Sequence, residues 1–173
     1  ASSLAQKSKS GIRTLGNLVN FFYELRQEGI VITLHKLGID FLGQSVSNIF
    51  SKLVEVFAES ANSKESVVAR MAVQEALVNL YNYVEHNNMD IESLDKMPLE
   101  LMNNVLKNFI TEYIRATILK DLESRIEDKM PDVTSAKQRE SEIKDIIESV
   151  VSIEFDDNKD FINNLYFKAI YFS

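Results

Sequence analysis

No cysteine occurs in the 173-residue chain, which excludes disulfides, thiolate metal sites and a Cys nucleophile. Tryptophan is also absent, and with only 2 His a His-rich metal centre is excluded as well. The 5 Gly and 2 Pro are too few for Gly-rich phosphate loops and disfavour turn-dense all-β folds. No apolar run is long enough to cross a membrane as a helix. No apolar stretch follows the first basic residues, so no signal peptide is expected, and the lack of an initiator Met suits a processed product or a piece of a longer chain.

What is present is the composition of a soluble protein with a core: 45% hydrophobic, 26% charged and 9% aromatic residues. The net charge of −7 is uneven. Residues 121–160 hold 13 acids and 6 bases, a net of −7, and the rest of the chain is balanced. The first 23 residues carry Lys7, Lys9 and Arg13 and no acid. An acidic body argues against non-specific duplex binding, which needs clustered Lys and Arg.

The chain reads as all-α: a single globular helical bundle of five to seven helices. Residues 1–10 are small and polar and read as a disordered lead-in, with one helical domain over 11–173. Ile12, Leu15, Leu18, Val19, Phe22 and Leu25 mark a first helix that ends at Gly29. The run Ile30–Leu34 reads as a buried turn or the start of a short helix, and Asp40 as the N-cap of a helix over 41–58. A third helix, capped by Ser63, turns Val67, Val68, Met71, Ala72, Leu77, Leu80, Tyr81 and Val84 inward. It ends near His86, with a short helical turn over 91–95. From Pro98 an apolar period of 3.6 predicts one long central helix of about 30 residues that stops at Met130-Pro131. Val105, Phe109, Ile110 and Tyr113 are its expected core face. Another helix starts at Thr134 or Ser135, with Ile143, Ile146, Ile147 and Val150 as its inner stripe. After an acidic break at 154–160, the aromatic segment Phe161–Phe172 suits a final helix docked on the core.

Catalytic signatures are missing. No P-loop, GxGxxG, GxSxG or HExxH motif occurs. His35 and His86 are 51 residues apart and read as surface histidines. The Arg–His spacing of small helical RNases is absent, since Arg26 and Arg70 stand 9 and 16 residues before the next His. Asp156-x-Asn158-x-Asp160 opens like an EF-hand loop, but Phe161 replaces the turn Gly and Phe167 the closing Glu. The pairs Glu123–Glu127 and Glu140–Asp145 lie among Arg125 and Lys144 and read as a solvated face.

One stretch is more specific. Ile126-Glu127-Asp128-Lys129-Met130-Pro131 is followed by Arg139-Glu140-Ser141-Glu142-Ile143-Lys144-Asp145-Ile146-Ile147. This resembles the C-terminal helical domain of the QatB family, the B component of the bacterial four-gene Qat anti-phage defence system. There a long helix ends in I-x-D-x-x-P and R-x-x-E-[IV]-[KR]-D-[YF]-I follows. Ala69-Arg70 with Ala76-Leu77, and Asp90-Ile91 with Leu94, fall in the family's order over about residues 10–152. The family usually carries a Gly/Ser-rich N-terminal region, where this chain has ASSLAQKSKS. The resemblance implies a component working beside an ATPase, a QueC-like enzyme and a TatD-like nuclease. It also implies that this domain has no active site and that the N-terminal region is the QueC-like partner's substrate.

The resulting expectation is a cytoplasmic, non-catalytic adaptor or structural component of an anti-phage complex, with no cofactor or metal. Its alternatives are an enzyme whose site forms only in three dimensions, and a helical membrane-active effector. The partner surface is expected on the acidic helix after the long one, at Glu140, Glu142 and Glu148. The basic segment around Lys7, Lys9 and Arg13 is the second choice.

Overall fold

The computed structural model describes the backbone of residues 2–58, 64–126 and 133–157. Six α-helices and one 3-10 turn make up these residues, and no strand occurs among them. They are α1 (Ser2–Glu28), α2 (Ile30–Lys36), α3 (Val46–Phe57), α4 (Lys64–His86), the 3-10 turn (Ile91–Lys96), α5 (Leu99–Ile126) and α6 (Val133–Asp157). The expected cap Ser63, the stop at Met130-Pro131 and the segment Phe161–Phe172 lie outside the described residues.

Helical backbone begins at Ser2, so the lead-in expected to be disordered continues the first helix instead. No Gly or Pro stands before Gly11, and Leu4, Ala5, Gln6 and Lys7 are good helix formers. The buried stripe of α1 also departs from the expected one at its start. Ile12 is exposed, while Gly11 and Thr14 are buried. The cause is Tyr113 of α5, whose ring lies where a Cβ on Gly11 would be, at 2.5 Å. Farther along, Leu18, Phe21, Phe22 and Leu25 enter the core.

α1 stops at Gly29, with φ 84 and ψ 167, a conformation essentially confined to glycine. The chain turns and α2 begins at once. The first N–H of α2, on Ile30, donates to Asp95 Oδ1 at 2.7 Å, so a residue 65 positions away supplies the missing cap. Across the same junction Lys36 bridges Glu24 and Glu28. The Glu28 hydrogen bond raises the pKa of the Lys36 ammonium, and Lys36 in turn holds the Glu28 carboxyl below its usual range.

α3 starts at Val46, later than expected, because its cap is Ser45. The Ser45 hydroxyl accepts from Asn48 N–H at 3.2 Å. Asp40 instead closes a local turn by accepting from Leu42 N–H at 3.3 Å, and Leu42 is exposed.

α4 lies against α1, α3 and α5. It does so through small residues: Ala69, Ala72, Val73 and Ala76 are buried, whereas Val67 and Met71, expected inside, are exposed. Alanines let helix backbones approach closely, so the neighbours settle on that stripe rather than on the bulkier one beside it.

α5 is the long helix, 28 residues in its described part. Met102, Val105, Leu106 and Phe109 are buried against the core, with Phe109 stacked on Tyr113 at 5.9 Å. Ile110 and Tyr113, expected to be fully buried, are only half-buried. They pack against the core from its edge, Tyr113 beside Gly11 of α1.

Two changes test this packing. Gly29→Ala should cost about 1–3 kcal/mol through its backbone conformation, and Asp95→Ala about 1 kcal/mol through the lost cap. Urea unfolding measures both, and a Gly29→Ala protein as stable as the parent refutes the junction. Phe109→Ala should cost about 3–5 kcal/mol in the same assay.

Candidate interaction surface

Two clefts are the natural places to look for chemistry. The larger, about 450 Å³, lies between α3 and α4. Phe50, Val54, Leu77 and Tyr81 give it an apolar lining, with Glu55, Arg70 and Gln74 as its charged and amide groups. Its two facing hydroxyls, Ser47 Oγ and Tyr81 Oη, are 3.3 Å apart and pair with each other. A serine nucleophile is activated by an adjacent general base, such as an imidazole, a carboxylate or a lysine amine. The smaller cleft, about 230 Å³, lies among α1, α2 and α3. Four of its polar residues are engaged within the chain. Asn17 donates to Phe57 O at 3.1 Å, Thr33 donates to Gly29 O at 2.7 Å, and Lys36 bridges two glutamates.

The histidines do not meet. His35 is exposed on α2, and His86, at the end of α4, has Nδ1 2.6 Å from Asn82 O. Among the described residues no group of three His, Cys, Asp or Glu side chains could hold a metal ion. The EF-hand-like residues Asn158 and Asp160, with Phe161 and Phe167, lie outside the described residues.

The other distinctive region is the pairing of α5 with α6. α6 packs chiefly on α5. At the centre of that contact is Glu112, a carboxylate only 7% exposed. Arg115 donates to Glu112 Oε2 twice, from Nε at 3.0 Å and from Nη2 at 2.7 Å. Its remaining Nη1 donates to Glu140 Oε1 of α6 at 3.0 Å, and Lys144 of α6 stands 3.7 Å from Glu112 Oε1. The two cross-helix pairs, 115 with 140 and 112 with 144, run in opposite directions along the chain. The helices are therefore antiparallel and their register is set by charge.

Glu140, Glu142 and Glu148 thus have different surroundings. Glu140 is drawn to α5 by Arg115, Glu142 accepts from Gln138 Nε2 at 3.4 Å, and Glu148 is exposed. At about 100° per residue, Glu142 is about 200° round the helix from Glu140, and Glu148 about 240° farther on. The three do not form one patch: Glu142 and Glu148 face solvent with no partner among the described side chains of α5, whereas Glu140, 48% exposed, is tied to Arg115.

The inner stripe of α6 also differs from the expected one. Ile147 and Val151 are buried and Ile143 is half-buried, but Ile146 and Val150 are 64% and 53% exposed. One neighbouring helix cannot cover an apolar face this wide. The clasp residues Glu112 and Arg115 went unread in the sequence. A signal was available, because an acid interrupts the apolar run Phe109, Ile110, Tyr113, Ile114 and its base follows three residues later.

Arg115→Met leaves Glu112 with Lys144 alone. It should cost about 2 kcal/mol, less than a fully buried pair because Arg115 is partly solvated. Amide exchange in α6 should accelerate more than in α1–α4. Unchanged exchange in α6 refutes the clasp.

A scan of family models matches residues 1–168 to the family described as "QatB: Qat anti-phage system associated protein QatB". The match reaches past residues 10–152, the span of the resemblance, at both ends. No curated protein matches the chain, and no solved structure does.

Proposed function

The chain belongs to the QatB family of Qat anti-phage system associated proteins, and on that premise we propose that it is a non-catalytic assembly subunit of the defence system. In this reading it works in the cytoplasm, without metal or cofactor, by holding other proteins of the system together. The ATPase, the QueC-like enzyme and the TatD-like nuclease are the candidate partners.

The observation that carries the reading is α6. It is a 25-residue helix held chiefly by one neighbour, with large apolar side chains left in solvent. A helix built this way has most of its circumference free for a second protein. The polar groups of the clefts support it further, since several are paired within the chain rather than turned to a common point.

Co-expression of the tagged full chain with the other proteins of its anti-phage system tests the reading. At least one should be recovered in a stoichiometric complex. Purified chain alone should show no hydrolase, nuclease or nucleotide-binding activity. Turnover abolished by a single substitution, such as Ser47→Ala or Arg70→Ala, overturns the proposal.

A further inference from the structure

The outer side of the α5–α6 hairpin carries exposed apolar surface. On α6, Ile146, Val150 and Ile153 recur at i, i+4 and i+7 and form one narrow stripe, each more than half exposed. On α5, Ile114 and Ile118 lie one turn apart and are each more than a third exposed. The clasp relates the two sets. Glu112 and Lys144 meet on the core side of the antiparallel pair. Turning away from the core on each helix leads to Ile114 and Ile118 on one and to Ile146 and Val150 on the other. One exposed isoleucine is ordinary, but several on one side of a two-helix unit mark an interaction surface.

The charge around the stripe defines what it takes. Exposed Glu142 and Asp145 border it on the flank away from α5. From Asp145 to Asp157 the helix carries Asp145, Glu148, Glu154, Asp156 and Asp157 and no Lys or Arg. This is also the C-terminal half of α6, where the helix dipole adds negative potential that no base in the last turn offsets. We infer that this face docks an amphipathic helix of another protein, one whose apolar ridge is flanked by Lys or Arg. The ridge covers the isoleucines and the cations meet the acidic flank. The inference rests on the reading of the chain as an assembly subunit, and adds the face used and the chemistry of the partner.

The test uses the full chain as parent, as Ile146→Ser with Val150→Ser, and as Glu142→Lys with Asp145→Lys. All four positions are exposed, so each variant should melt with the parent. In the co-expression experiment the serine variant should lose the partner. The lysine variant should weaken it, most strongly at low salt. If the parent recovers no partner, the reading as an assembly subunit fails. If it recovers one and the serine variant recovers as much, that reading stands and this inference alone is overturned. As a direct probe, a synthetic amphipathic Leu/Lys peptide should bind the purified parent, and about tenfold or more weaker to the serine variant. A Leu/Glu peptide of the same pattern should not bind. Equal binding of Leu/Lys to parent and serine variant makes the contact mere charge attraction and overturns the inference. So does self-association that the serine variant abolishes, which makes the occupant a second copy. Peptide binding that appears only after removal of residues 158–173 makes the occupant the chain's own C-terminal segment, and overturns the inference in the same way.

Discussion

Helix α5 meets two neighbours of opposite chemistry, and the molecule is organised around that constraint. Its core side is apolar, where Val105, Leu106 and Phe109 lie under α4. Its α6 side holds a buried carboxylate, Glu112, between two bases, Arg115 and Lys144. Apolar packing is non-directional and tolerates sliding. A buried carboxylate does not, because its desolvation is offset only when Arg115 and Lys144 stand in place. The core side therefore supplies most of the stabilisation, and the ionic side sets the register of α6.

The same contrast explains why α6 is sparsely buried. Over its described side chains it places only Ile147 and Val151 inside, against the many core side chains contributed by α1, α3 and α4. Each buried aliphatic side chain is worth about 1.5–3 kcal/mol, so α6 adds little to the apolar total. Its apolar surface exceeds what α5 can hide, and the excess is not scattered. It forms one stripe with acids on the far flank, the pattern of a surface that becomes core when a second protein arrives.

Much of the fold was legible in the sequence because its helices are strongly periodic and its breaks are chemically sharp. Gly29, the His86–Asn88 stretch and Pro98 each end or start an element for a local reason. The misreadings share a physical cause, which is that periodicity gives the apolar arc of a helix but not which part of it a neighbour covers. Ile12, Met71, Ile146 and Val150 belong to such arcs and lie outside because tighter contacts won: Gly11 on Tyr113, the alanines of α4, and the clasp of α6. Asp95 capping α2 from 65 residues away has no local signature at all. The candidate surface was legible as an acidic region. Its division was not, since Glu140 turns inward to an arginine 25 residues earlier.

That division separates two kinds of electrostatics that look identical in composition. Glu140 and Glu112 are acids whose partners are built into the chain, and their charge is spent on geometry. Glu142, Asp145 and Glu148 stand in solvent, and after Lys144 no base follows until Lys159, so their field extends outward. Only the second group can steer an approaching protein, because an internally neutralised carboxylate contributes little beyond a Debye length. Substitutions in the first group disturb α6 itself and weaken any complex indirectly, by loosening the platform. Substitutions in the second leave the platform intact and act on the encounter. A loss of assembly is therefore interpretable only beside a measurement of α6 docking, and the residues that combine lost assembly with an undisturbed helix define the surface.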